Sequence, residues 1–243
     1  MEVIRCKAHK TTLRPWNSDF TFGSGSAKDY DFILGEGAKD EEGNRNLDNI
    51  NFTLHTDDEE GVPRTVTMDA RIKTTKDTSS IIVAGHGTNV VTSASPLMTG
   101  TYAVTDTATV KFTEGAGFVN GTVSVGPEAT VAVESGMANV GDLCLADGAT
   151  LAFNWTKRSS IPVLAASGSV TVFGSVKVKV SAVDTIGKPM GGARVLTSGG
   201  GFTGKTVTFD ATNKPDWALG LSVNSDGNIV LDVKPRGFTF ILK

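Results

Sequence analysis

Ala108-Thr109-Val110-Lys111-Phe112, Ala129-Thr130-Val131-Ala132-Val133 and Ala149-Thr150-Leu151-Ala152-Phe153 are one short strand written three times, at steps of 21 and 20 residues. Thr88-Asn89-Val90 stands 21 residues before the first copy, and Ser169-Val170-Thr171-Val172 extends the series after a step of 19. A second strand keeps the same period in between: Tyr102 and Val104, Val123 and Val125, Leu143 and Leu145, then Val163 and Ala165. Side chains of a strand alternate between its faces, so Ala108, Val110 and Phe112 share one face while Thr109 and Lys111 share the other. A unit of about 20 residues cannot bury that apolar face alone. Stacked in parallel about 4.8 Å apart, successive units bury a continuous column of like side chains.

This pattern makes the chain all-β and predicts a parallel β-helix with rungs of about 20 residues. Gly115, Gly117, Asn120-Gly121, Gly136, Asn139, Gly141 and Asp147-Gly148 punctuate the rungs, as corners that need positive φ require. A β-sandwich is the alternative, since its turns also recur every 8 to 12 residues, but it gives no reason for Ala-Thr-Val to return at near-constant spacing. From Val176 the period loosens. Leu219, Leu221 and Val223 are followed by Asn224-Ser225-Asp226-Gly227-Asn228 and then Ile229, Leu231 and Val233, which is a hairpin signature. Such a hairpin, with Phe238-Thr239-Phe240-Ile241-Leu242 after it, would cover the open edge of the last rung. The expected organisation is a charged N-terminal β/loop cap region over 1–80, regular rungs over 81–180, and irregular last rungs with a capping hairpin over 181–243.

Charge divides the chain in the same place. Residues 1–80 carry 26 of the 49 charged side chains and residues 81–153 only seven. Asp40-Glu41-Glu42 and Asp57-Asp58-Glu59-Glu60 read as solvated turns; a calcium loop at Asp40–Asn44 fits neither an EF-hand nor a nonapeptide repeat. A formal charge of −3 leaves no excess positive field for phosphate backbones, which argues against nucleic acid as a partner. No run of about 18 apolar residues exists to span a membrane. Met1–Lys10 lacks the apolar core of an export signal, so none is expected in the chain as given.

Arg194-Val195-Leu196-Thr197-Ser198-Gly199-Gly200-Gly201-Phe202-Thr203-Gly204 and Trp217-Ala218-Leu219-Gly220-Leu221-Ser222-Val223-Asn224-Ser225-Asp226-Gly227-Asn228-Ile229-Val230-Leu231 add a second kind of signal. With the repeats, these stretches resemble bacterial secreted β-solenoids of the autotransporter-passenger type, built from autotransporter-associated β-strand repeats, over about residues 85 to 235. The resemblance implies a right-handed β-helix, placed extracellularly or at the cell surface and adhesive or structural in role. It likens the chain to the C-terminal part of a passenger without the outer-membrane barrel, whose place here ends at Lys243. Its implied partners are surface glycans or proteins of a host or another cell.

The aligned polar positions are where a β-helix would carry chemistry. Thr113, Glu134 and Asn154 are equivalent, with Glu114 beside the first, and two stacked carboxylates are what a glycosidase needs. Corner residues facing solvent are the plainer reading, and residues 81–153 hold one Lys and no Arg to act as the strong base of a lyase. His9, His55 and His86 are too widely spaced for a metal site or a catalytic triad, with His86 expected in a turn. Cys6 and Cys144 have no metal-ligand spacing, and Cys144, between two inward leucines and equivalent to Ser124, is expected to face outward or to pack as a small hydrophobe. Trp16, Trp155 and Trp217 are candidate sugar-stacking platforms. Of these, Trp155 is favoured, because Asn154-Trp155-Thr156-Lys157-Arg158 interrupts the period and brings Lys157 and Arg158 with it. No catalytic set, metal or cofactor site emerges. The expected function is a non-catalytic surface or secreted module, structural or adhesive; the alternative is a glycan-binding or polysaccharide-degrading β-helix.

Overall fold

A computed structural model describes residues 2–6, 10–23, 30–34, 50–74, 76–157, 160–183 and 193–234. These residues form an all-β chain, in which a parallel sheet of 13 strands curls 307° around a common axis, as in a β-solenoid. Arg158, His9, the stretch Asp40–Asn44 and the expected covering strand Phe238–Leu242 lie outside the described residues.

The coil has three sides. On the first, Asn51–His55, Ser80–Ala84 and Thr101–Val104 stack in parallel, followed by the second halves of Gly117–Val125 and Met137–Leu145. On the second, Thr65–Met68, Thr88–Val91, Thr109–Phe112, Thr130–Glu134 and Thr150–Trp155 do the same. Thr109 pairs with Thr130 and Thr130 with Thr150, which are the steps of 21 and 20 legible in the sequence. Ladders begin before residue 81, since Lys10–Leu13 pairs with Asn51–His55 and Phe20–Phe22 with Thr65–Met68.

The alternation is that of a strand with one face in a core. Tyr102, Val104, Val123, Val125, Leu143 and Leu145 are buried on the first side, and Val110, Phe112, Val131, Val133, Leu151 and Phe153 on the second. Each such side chain contributes on the order of 1.5–3 kcal/mol by leaving water, before entropy opposes it. Between the two sides the same turn hydrogen bond closes in three rungs: Ala108, Ala129 and Ala149 N–H groups donate to the carbonyls of Thr105, Gly126 and Ala146. One residue of each turn, Asp106, Glu128 or Gly148, takes positive φ, and the alanines that end the turns are fully buried.

The third side corrects the sequence reading. It comprises a separate parallel sheet of Glu2–Cys6, Tyr30–Leu34 and Arg71–Thr74, and then, after an Ala94–Gly117 bridge, the first halves of Gly117–Val125 and Met137–Leu145, Val163–Ala166 and Ala193–Ser198. Val163 and Ala165 therefore pair with Met137 and Asn139, not with Leu143 and Leu145; Leu164 and Ala166 are the buried residues. Val170–Val172 likewise stacks on Leu143–Leu145, while Thr150–Trp155 stacks on Lys177–Ala182. The cause is a longer loop after Trp155, which stretches this rung so that Thr150 meets Lys177. Ala218–Val223 and Ile229–Val233 form the expected hairpin, and its second strand lies antiparallel on Ala193–Ser198, covering the end of the third side.

Candidate functional site

The loop after Trp155 is pinned by one side chain. Ser135, buried and with φ of 32°, accepts at Oγ from the N–H groups of Thr156 (2.8 Å) and Lys157 (2.9 Å). This anchoring carries Lys157 Nζ to 3.3 Å from Glu114 Oε2, and Ser160 Oγ donates to Glu114 Oε1 at 3.3 Å. Glu134 is turned to a different cation, Lys111 Nζ, at 3.2 Å. Thus Glu114 and Glu134 stand on neighbouring rungs, but each faces its own lysine, and both are solvated ion pairs of about 0–1 kcal/mol.

Trp155 is not a platform. Its side chain is 2% exposed and meets Trp217 edge-on, with ring centroids 5.4 Å apart. It is the last residue of Thr150–Trp155, where alternation after Leu151 and Phe153 turns it inward, so neither ring face is open to a sugar. The sequence signal, a tryptophan where the repeat breaks, marked the end of a core column rather than a binding loop. Cys144 does face outward between Ser124 and Thr171, and burial, with the neighbouring Asp142 carboxylate, pushes its thiol up from the ordinary value. His86 sits exposed in a bend, 2.9 Å from Thr107 Oγ1 on the next rung.

The most exposed tryptophan is Trp16, at 77%. It projects from the loop joining Lys10–Leu13 to Phe20–Phe22, beside the corner loop Asp57–Pro63, and with Asn17, Asp58, Glu59 and Glu60 lines a cleft of about 100 Å³. The loop that carries Trp16 is tied at three points to residues flanking that corner. Arg14 Nη2 lies 3.0 Å from His55 Nδ1; Arg64 Nη2 donates to Asn17 Oδ1 at 2.9 Å; Thr65 N–H donates to Asp19 Oδ1 at 2.8 Å. Asn17 holds φ of 53°, a left-handed conformation that asparagine tolerates.

Asp58 is the keystone of that corner. Nearly buried, it accepts at Oδ2 from Arg64 Nε (2.9 Å) and Nη2 (2.5 Å), and at Oδ1 from the N–H groups of Glu60 (3.0 Å) and Val62 (2.9 Å). Burial pushes its carboxyl up, but the Arg64 guanidinium and the two backbone donors outweigh that and hold it below the ordinary 3.8. A lowered carboxyl pKa contributes stability above the unfolded-state value and loses it as pH falls through the folded one, so this corner loosens only below about pH 4. The sequence shows Trp16 and Asp57–Glu60 as separate features, because the 40 residues between them hide that both belong to one corner.

No protein-family model matches the chain, and no curated protein matches it.

Proposed function

We propose that the chain is a non-catalytic β-solenoid module of a bacterial cell surface or secreted protein, with a structural or adhesive role. The observation that supports this reading is the stacked surface itself. Thr109, Thr130 and Thr150 align on one outer face with Lys111 and Ala132, and Thr101, Thr122, Ser124 and Thr171 align on another. Short side chains repeated rung upon rung make a regular, stiff wall over a filled core, and a wall of this kind suits spacing and display. The resemblance of Arg194–Gly204 and Trp217–Leu231 to passenger repeats adds the expected place, outside the cell.

Protease treatment of intact native cells, followed by an immunoblot of the fractions, tests it. The module is expected to be cleaved or shed from intact cells, or found in the medium; a band that stays protected in the cytosol overturns the proposal.

A further inference from the structure

Trp16 is open to solvent, yet its backbone is not loosely held. Pro15 before it is buried, Asn17 after it is clamped by Arg64, and Asp19 is tied to Thr65. The backbone that carries the ring is thus held in place, and the ring lines the small cleft together with the acidic loop. Of the carboxylates there, Asp58 is neutralised by Arg64, whereas among the described residues Glu59 and Glu60 have no cationic partner and are exposed. The face of an indole is the negative pole of its quadrupole, so ring and carboxylates favour the same kind of guest. At about 100 Å³ the cleft accommodates one side chain and falls well short of the several hundred Å³ typical of small-molecule sites.

We propose that this corner binds a cationic side chain, lysine or arginine, presented by a partner protein. The aliphatic stem lies against Trp16 and the charged head sits between the ring and the carboxylates of Glu59 and Glu60. Asn17 and Asp58 hold the walls and are already occupied by Arg64, so they position the cleft without contributing free charge. The inference specifies the partner chemistry of an adhesive module, and it holds or fails by binding alone, wherever the protein resides.

The test is titration of the full ¹⁵N-labelled chain with an acetylated, amidated tetra-lysine peptide, following the Trp16 indole N–H resonance assigned by Trp16→Phe. A saturable shift is expected, weakening as ionic strength rises through about 0.15 M. The double variant Glu59→Gln/Glu60→Gln, whose exposed positions leave folding intact, is expected to bind about three- to tenfold more weakly. Absence of a shift overturns the proposal, as does binding unchanged in the double variant. A shift given by cellotetraose and not by the peptide also overturns it, making Trp16 a sugar platform while leaving the adhesive reading standing.

Discussion

Asn89 occupies a position that its ladder neighbours fill with valine, Val66 on one rung and Val110 on the next, and it is fully buried. Its side chain is satisfied from two directions: Nδ2 donates to the Val66 carbonyl at 2.9 Å, and Oδ1 accepts from Tyr102 Oη at 2.5 Å. Tyr102 is fully buried too and stacks on Phe118, with centroids 4.5 Å apart, and burial pushes its phenol far up. Tyr102→Phe leaves the Asn89 oxygen in the core without a donor, at an expected cost of about 1–3 kcal/mol. Removing both polar groups, in Asn89→Leu/Tyr102→Phe, is expected to recover much of that loss, since paired apolar replacement avoids the orphaned acceptor. Urea midpoints of the single and double variants decide it; a neutral Tyr102→Phe would mean the hydrogen bond contributes nothing net. The sequence shows Thr88-Asn89-Val90 only as another copy of the repeat, because the partner of Asn89, Tyr102, lies on a different side of the same coil.

A strand of the second side is the smallest element whose register can be tested. Val131 is buried between Val110 and Leu151, and Thr130, one residue earlier, stacks outward between Thr109 and Thr150. Val131→Asp places a charge with no partner in the column and is expected to cost about 3–5 kcal/mol, whereas Thr130→Asp is expected to be nearly neutral. Equal shifts in thermal midpoint would show that the alternation is not anchored by the core. These two ladders were legible because each strand repeats a four- or five-residue pattern at near-constant spacing. The third side was not, because in the central rungs it is reduced to Gly117-Phe118 on Asn139-Val140, too short to show a period. Gly117 belongs there for a physical reason: it has φ of 130°, and a Cβ would stand 2.0 Å from the Asn139 carbonyl oxygen. The loop after Trp155 then lengthens one rung, and a constant period carried past it assigns Val163, Ala165 and Ser169–Val172 to the wrong sides. The cleft at Trp16 was half legible, since the exposed tryptophan and the acidic run are visible as residues while their meeting is a product of the coil.

For the whole molecule, a coil in which each rung touches only its neighbours has local stabilities set by each rung and its two interfaces. The rungs from Ser80 to Glu134 keep near-constant length, fill both columns with large side chains that are apolar except for the hydrogen-bonded Asn89, and have a rung on either side. Beyond Trp155 the spacing widens, with Thr150 on Lys177 and Lys177 on Thr208, and register shifts interrupt the ladder between Val172 and Ser175. The hairpin at the end buries Ala218, Ile229 and Leu231 but leaves Leu219 and Val223 more than half exposed. It contacts the coil mainly along the third side, through Ala193–Ser198. Stability should therefore fall from the centre towards the hairpin instead of being uniform. Native-state hydrogen exchange read by mass spectrometry is expected to find the slowest amides in Thr109–Phe112 and Thr130–Glu134, with Phe202–Asp210 and Ala218–Val223 opening at lower free energy. Protection equal along the whole chain would instead make the coil one cooperative unit, in which the hairpin locks the longer rungs as firmly as the regular ones lock each other.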